Sequence, residues 1–197
     1  RAKKLAEFKA LETLGKKTDG RKSGRIYHKK LIDADSEAIR KESHKCTIVF
    51  AEGDSAITFM DAGIRGIPQE EHKYWGRFPL KGKILNVRHA TVKQLENNEE
   101  ILMMKKIIGL QEKVDYGIEA NFKKLRYGRV VILSDADDDG HHIKGLFMNF
   151  IGHYWPSLLK REGFICEIAT PIIKVKKEDS RGKITDSKEF FSTQGYK

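Results

Sequence analysis

The feature that most constrains this chain is an acidic stretch at residues 134–140, which follows an apolar run at residues 130–133. The run contains only Val, Ile and Leu, and a run this short is typical of a buried strand. A helical apolar period begins at Ile143. The acidic stretch therefore lies where a buried strand leads into a helix. In open α/β sheets, binding and catalytic sites form at such positions, outside the carboxyl ends of the strands.

The chemistry of the acidic stretch predicts a cation. Clustered carboxylates repel one another, and at neutral pH they need either protonation or a positive charge. Side chains alternate along an extended backbone, so Asp135, Asp137 and Asp139 are predicted to converge while Asp138 points elsewhere. Carboxylate oxygens are hard ligands that suit Mg²⁺, and a substrate phosphate can complete the coordination. The stretch therefore indicates a Mg²⁺ site that handles phosphodiesters.

Two other interpretations of the acidic stretch fit its residues less well. A solvated acidic loop is the simplest, but the apolar run directly before it disfavours that interpretation. The order Asp-x-Asp-x-Asp-Gly also opens the EF-hand calcium loop, which needs a bidentate Glu at its twelfth position. That position is Leu146 here, and a strand rather than a helix precedes the acids, so an EF-hand is excluded.

The charge of the chain points to an anionic partner, most simply nucleic acid. The net charge is +10 and the pI is near 9.5. Residues 1–45 carry 14 Lys and Arg against 7 Asp and Glu, and so supply +7 of this excess. We expect residues 1–45 to be a basic N-terminal segment or linker, residues 46–176 a compact domain, and residues 177–197 a charged tail that leads to the next part of a longer protein.

The remaining composition limits compartment and membrane contact. Cys46 and Cys166 lie in apolar, β-prone surroundings and are predicted to be buried free thiols in a reducing, intracellular compartment. No Cys and His spacing suggests zinc. No apolar stretch is long enough to span a bilayer, so we expect no membrane partner.

Apolar patterns predict alternating strands and helices, which favours an α/β fold with a central, mainly parallel sheet flanked by helices. Strands are predicted at residues 46–51, 130–133, 164–169 and 172–175, and helices at residues 1–14, 56–63, 91–108 and 143–155. Residues 64–76 are expected to form an irregular loop, and Ser55 or Asp54 to cap the helix that follows the first strand of the domain. Glu52 and Asp135 each follow a buried strand. If those strands are neighbours, both acids face the same crevice.

Four spaced motifs resemble the TOPRIM domain of type IIA DNA topoisomerases. They are Glu52-Gly-Asp-Ser-Ala56, Pro79-Leu-Lys-Gly-Lys-Ile-Leu-Asn-Val-Arg88, Ile108-Gly-Leu-Gln111, and Asp135-x-Asp-x-Asp-Gly140 with His142-Ile-Lys-Gly145. The resemblance covers residues 46–176. Trp155-Pro-Ser-Leu-Leu159 is closer to the eukaryotic-type enzyme than to bacterial gyrase. The resemblance implies a Rossmann-like TOPRIM fold.

The resemblance also implies an activity that belongs to a larger enzyme. In this family a homodimer hydrolyses ATP and passes one DNA duplex through a transient break in another. Its ATPase domain and the winged-helix domain that carries the nucleophilic tyrosine are separate from the TOPRIM domain, and no motif of either is visible here. The chain alone is therefore expected not to cleave DNA, and ATP would act only through the ATPase domain. The implied location is the nucleus, or the host compartment if the source is viral.

Metal-binding roles follow from the same resemblance. It implies that Glu52, Asp135 and Asp137 are catalytic and hold Mg²⁺, which Mn²⁺ or Ca²⁺ could replace in vitro. Asp139 belongs to the motif as a further metal-binding position. Glu52 and Asp135 would share the metal nearest the scissile phosphate, while Asp135 and Asp137 would share a second.

The DNA-binding residues rest on both the resemblance and the charge pattern. Lys83 and Asn86 match positions that contact double-stranded DNA in the family. Independently, the sequence contains a basic strip that is suited to phosphate contacts. The strip consists of Arg77, Lys81, Lys83 and Arg88, with Gly82 between the two lysines. Lys81 stands where the family generally has Arg, which removes a bidentate contact but keeps the charge. His142 is either a phosphate donor or a helix-start histidine that only caps or packs.

Two other functions compete with this interpretation. Another TOPRIM enzyme, such as a primase or a nuclease, would share the acids but not the motifs at residues 79–88 and 108–111. A non-catalytic DNA- or protein-binding module would use the basic strip, and its binding would fall with salt but not respond to Mg²⁺.

Overall fold

The structure, a computed structural model, describes residues 26–135, 137–168, 173–190 and 193–196, together with Gly15. The predicted helix at residues 1–14 lies outside the described residues. The chain divides into two units, Arg1–Cys166 and Glu167–Lys197.

A four-stranded sheet organises the first unit. Its strands are β1 (Thr47–Glu52), β2 (Trp75–Leu80), β3 (Arg129–Leu133) and β4 (Ile165–Glu167). They lie in the order β2-β1-β3-β4, and β1 runs parallel to both β2 and β3. Nearly every position of β1 and β3 is buried, as expected for parallel strands that are covered on both faces.

Helices connect and cover the strands. They are α1 (Ser36–Glu42), α2 (Gly53–Arg65), a 3₁₀ helix (Gln69–Tyr74), α3 (Val92–Asn97), α4 (Glu99–Ile108), α5 (Glu119–Phe122), α6 (Asp138–Tyr154) and α7 (Pro156–Leu159). The predicted α/β class, with a mainly parallel sheet flanked by helices, is confirmed.

The core lies between the sheet and the apolar face of α6. Phe50 of β1 packs against Phe147 of α6, with ring centroids 5.7 Å apart. Phe147 in turn contacts Phe150, and all three rings are fully buried. Val49 and Ala51 alternate to the opposite face of β1. This packing anchors α6 against the strand that carries Glu52.

The start of α2 differs from the prediction, because the helix begins at Gly53 rather than near residue 56. Glu52 occupies the N-cap position, and no side chain caps the helix there. Asp54 and Ser55 lie in the first turn, so the prediction that one of them is the N-cap is wrong. Gly53 adopts φ of +79°, a conformation that suits glycine, and the chain thereby turns directly from strand into helix.

The predicted irregular loop at residues 64–76 is also wrong in part. The 3₁₀ helix occupies residues 69–74, and β2 begins at Trp75. The strand does alternate in burial, with Gly76, Phe78 and Leu80 buried on one face and Trp75 and Arg77 only partly buried on the other. The sequence conceals this alternation, because a glycine stands at a buried position and a tryptophan at a partly buried one.

Residues 26–45 contribute to the same core as the sheet. Ala38 and Ile39 of α1 are buried. Asp33 accepts hydrogen bonds from Arg126 and from the Tyr127 hydroxyl. The Tyr127 hydroxyl in turn accepts a hydrogen bond of 2.9 Å from the main-chain N–H of Ala34. Burial, followed by the charge of Asp33, raises the pKa of Tyr127 well above its usual value. These contacts lie N-terminal to the expected domain start at residue 46, and the domain boundaries stay predictions.

The second unit contains an antiparallel hairpin. Strands β5 (Ile173–Glu178) and β6 (Ile184–Phe190) pair from Ile173 with Phe190 onward, and a short helix, α8 (Thr193–Tyr196), follows. Lys174 and Glu189 form a cross-strand ion pair at 2.6 Å. The predicted strand near residues 172–175 is therefore longer, and the expected start of a charged tail at residue 177 falls inside β5.

Candidate metal and nucleic-acid site

Glu52 and Asp135 leave the sheet at the same edge, as the sequence predicted. Strands β1 and β3 are neighbours and parallel, with Ala51 in register with Leu133. Glu52 is the last residue of β1, and Asp135 follows β3 by two residues. The carboxyl ends of both strands therefore open on one crevice.

The side chain of Glu52 has an atom that suits a cation. Its Oε2 is buried and has no hydrogen-bond partner among the described residues. A buried carboxylate oxygen without a partner is costly, on the order of 1–3 kcal/mol or more for a charged group. A divalent cation at this edge of the sheet would satisfy that oxygen, so Glu52 fits the predicted metal.

The second group of acids is arranged by the start of α6. Asp137 is the N-cap residue, and its Oδ1 accepts a hydrogen bond of 2.8 Å from the main-chain N–H of Gly140. A side chain at Gly140 would overlap the carbonyl oxygen of Asp135 and approach Ser134 Oγ to 3.0 Å. Glycine at this position therefore lets the helix pack directly against the acidic strand end.

The predicted alternation of the acids does not apply beyond Asp137. The backbone is helical from Asp138, so Asp138 and Asp139 lie in the first turn of α6 instead of continuing a strand. Capping by Asp137 favours the helix start at this point. In the described part of the chain, no three His, Cys, Asp or Glu side chains are close enough together to hold a metal ion. The metal-ligand roles of Glu52, Asp135, Asp137 and Asp139 stay predictions.

A lysine of the predicted DNA-binding strip lies among these acids. Lys83 Nζ is 2.8 Å from Asp139 Oδ1, in an exposed ion pair. The hydrogen bond to Asp139, then the Asp139 charge and more weakly that of Glu52, raise the pKa of Lys83. Conversely, Lys83 lowers the pKa of Asp139. The acidic and basic groups that the sequence singled out therefore meet at one place.

Two other cations of the strip also contact acids. The main-chain N–H of Lys81 donates to the Glu100 carboxylate, and Lys81 Nζ lies 3.4 Å from Glu99 Oε2. Arg77 forms an ion pair with Asp61 of α2, without the geometry of a hydrogen bond. Lys81 is exposed, whereas the Arg77 side chain is only 20% exposed. Arg77 is therefore held between β2 and α2, while Lys81 remains accessible to a phosphate.

An open groove brings together three further residues of the predicted DNA interface. Its volume is about 630 Å³. It is lined by Asn86, Arg88, His89, His142, Gly145, Leu146, Met148, Asn149, Gly152 and Leu159. Asn86 and Arg88 come from the loop after β2, and His142 from the first turns of α6. The groove lies near the Lys83–Asp139 ion pair, because His142 and Asp139 both belong to the first turns of α6.

Comparison with known proteins identifies a family whose model covers the strand-end acids. Residues 47–171 match the family model described as the Toprim domain. The chain belongs to the Toprim domain family. Two of the motifs that resembled this family begin at Glu52 and Asp135, and both lie at the carboxyl ends of strands of the sheet.

Two relatives of this Toprim domain are named DNA topoisomerase 2. The DNA topoisomerase 2 of Acanthamoeba polyphaga mimivirus is 46% identical over 98% of this chain, and that of Pisum sativum 48% identical over 86%. The chain spans 15% and 11% of the lengths of these two relatives. The predicted resemblance to type IIA DNA topoisomerases is thus confirmed.

A solved structure agrees with these relatives. It is the DNA-binding, cleavage and re-ligation domain of Plasmodium falciparum topoisomerase II, with a TM-score of 0.76 and 43% identity. The match covers 88% of this chain and 22% of that one. Within the described residues of the Toprim chain, no helix has both the length and the apolar character needed to cross a membrane.

Sequence reasoning missed two polar residues of the groove. His89 directly follows Arg88, and Asn149 lies seven residues after His142 on the same helix. Helical periodicity places residues 142, 145, 149 and 152 on one face. That spacing is a signal for Asn149, but the stronger apolar period of α6 conceals it. Neither Cys46 nor Cys166 forms a disulfide within the described residues; Cys46 is buried as predicted, but Cys166 is only partly buried.

Proposed function

We propose that this chain is the Mg²⁺-binding Toprim part of a type IIA DNA topoisomerase. In the full-length homodimer it would support ATP-dependent breakage, passage and rejoining of double-stranded DNA in the nucleus, or in a host compartment if the source is viral. The observation that carries the proposal is the buried Oε2 of Glu52, which has no hydrogen-bond partner in the part of the chain that the structure describes and lies beside the strand that leads to Asp135 and Asp137.

Each acid has a distinct part in the proposed metal site. Glu52 would present its buried Oε2 to the cation, and Asp135 would bind from the end of the neighbouring strand. Asp137 uses Oδ1 to cap α6 and keeps its other oxygen for a metal. When bound, Mg²⁺ would stabilise negative charge on the phosphate and on the leaving 3′ oxygen. Asp139 holds Lys83 and would be the outermost of the four.

The basic surface would position DNA beside that metal site. Lys81 and Lys83 would contact phosphates, while Asn86, Arg88 and His142 would line the path of the duplex. Phosphate contacts fix register and orientation but carry little sequence information. The nucleophilic tyrosine and the ATPase would come from the winged-helix and ATPase domains of the parent protein.

The test uses plasmid relaxation and cleavage by the full-length parent protein across a Mg²⁺ titration. Glu52→Gln and Asp137→Asn remove charge with little change in shape, and Glu70→Gln changes an exposed acid on the 3₁₀ helix as a control. We expect both site variants to lose cleavage by at least about 100-fold, the scale of a lost transition-state contact, and to require more Mg²⁺. Cleavage that survives both substitutions would overturn the proposal.

A further inference from the structure

The side-chain carbonyl of Asn86 accepts two hydrogen bonds. The main-chain N–H of Arg88 donates to Asn86 Oδ1 over 3.2 Å, and Asn149 Nδ2 donates to the same atom over 3.0 Å. Asn86 is exposed on the loop after β2, whereas Asn149 is partly buried on α6. The second bond thus ties a loop residue to a long helix that is anchored in the core.

These contacts decide which way both amides face. A main-chain N–H can only donate, so the Asn86 atom that meets Arg88 must be the oxygen. The Asn149 atom that meets this oxygen must in turn be the NH₂ nitrogen. Both amide orientations therefore follow from one unambiguous donor.

The consequence is that Asn86 offers only donors to the groove. A carbonyl oxygen has two lone pairs, and here both have partners. Among the described residues, none accepts a hydrogen bond from the NH₂ group of Asn86. Phosphate oxygens accept and never donate, so an amide fixed in this orientation matches the DNA backbone, and the reverse orientation would repel it.

We infer that Asn149 is a positioning residue, which holds Asn86 with its NH₂ group directed at DNA. The inference rests on the proposed function, because it assigns a role to Asn149 within the proposed DNA interface. Arg88 contributes its donor through the main chain, so among the described residues Asn149 alone holds Asn86 through a side chain. Residue 149 must therefore supply a hydrogen-bond donor that reaches Asn86 Oδ1.

The experiment is a double-mutant cycle on the full-length parent protein, with duplex DNA affinity measured at fixed salt. The variants are Asn86→Ala, Asn149→Leu, and the two combined. Asn149→Leu keeps the approximate size of the side chain without adding charge. Asn149→Ala serves as a second substitution, and a thermal melt of each variant detects any loss of fold.

We expect Asn86→Ala to weaken binding about tenfold, the size of one hydrogen bond to a charged acceptor. Asn149→Leu should weaken it about three- to tenfold in the wild-type background and have no effect beside Asn86→Ala. Unchanged affinity in Asn86→Ala would contradict this part of the proposed DNA interface. If Asn86→Ala weakens binding but Asn149→Leu and Asn149→Ala do not, or if the effects simply add, the positioning role is overturned while the interface stands.

Discussion

The acidic and basic halves of the site differ in what holds their side chains. Glu52 ends a buried strand, and Asp137 caps α6 through a main-chain hydrogen bond. Lys81 and Lys83 are exposed, and each pairs with a nearby carboxylate. Backbone geometry therefore fixes the acids, while ionic contacts at the surface hold the lysines.

This difference matches the two tasks proposed for the site. A metal ion needs ligands at fixed positions, since small errors in geometry are costly. A DNA backbone can exchange with carboxylates for the same lysine, because exposed ion pairs contribute little and are readily replaced. In this Toprim domain the strand ends therefore hold the acids in place, whereas the lysines in the loop after β2 can exchange their carboxylate partners for phosphates.

The largest effect is expected from a backbone change at the acidic half. Gly140→Ala would force α6 away from the Asp135 carbonyl, at about 1–3 kcal/mol of unfolding free energy for overpacking. We expect Mg²⁺-dependent cleavage by the full-length protein to fall at least about 100-fold, because Asp135 and Asp137 would move apart.

A matched control lies on helix α2. A side chain at Gly63 would meet no atom within 4 Å, so Gly63→Ala should leave the fold intact or stabilise it by about 1 kcal/mol through helix propensity. Urea unfolding and plasmid cleavage measure both variants. Equal effects from the two alanines would show that the close approach at Gly140 does not organise the acids.

A smaller effect, of opposite sign, is expected in the basic half. Glu99→Gln would release Lys81 from its ion pair, and we expect duplex DNA to bind about two- to threefold more tightly at low salt. Glu70→Gln removes the same charge from the 3₁₀ helix and controls for the general gain in positive charge. If both variants gain affinity equally, Glu99 does not compete with DNA for Lys81.

The smallest effect concerns stability against pH at the junction of the two halves. Lys83 lowers the pKa of Asp139 in the folded protein, so the contribution of this pair is present above the unfolded pKa of about 3.9 and is lost as pH falls through the lower folded value. Because the pair is exposed, Asp139→Asn should change stability only slightly at pH 7. Urea unfolding between pH 2 and pH 7, roughly spanning that window, would show the two proteins converging at the acidic end. A gap that widens as pH falls would contradict the assignment.

Much of the acidic half was predictable from the sequence. The short apolar runs before Glu52 and Asp135 mark buried strands, and the helices predicted between them favour a parallel sheet. The start of α6 was not predictable, because it depends on the Asp137 cap and on the space that Gly140 leaves. Consecutive carboxylates suit either a strand end or a first helical turn, and the prediction extended the strand conformation to Asp139, past the helix start at Asp138.

The basic half was predictable as a charge pattern but not as a surface. Arg77 belongs to the strip in sequence, yet its side chain is turned into an ion pair with Asp61, which no local pattern reveals. Asn149 joins Asn86 across 63 residues of sequence, so only the folded chain shows the pair. The contacts of Asp33 with Arg126 and Tyr127 were not predictable for the same reason, since long-range polar contacts leave no periodic signal in the sequence.

The central claim is that the strand-end acids hold a divalent cation, and calorimetric titration of Mg²⁺ into the full-length protein without ATP tests it most directly. The account predicts that Glu52→Gln weakens or removes a binding event that the Glu70→Gln control retains, because the buried Oε2 would no longer carry charge. Identical Mg²⁺ isotherms for wild type and Glu52→Gln would contradict the account.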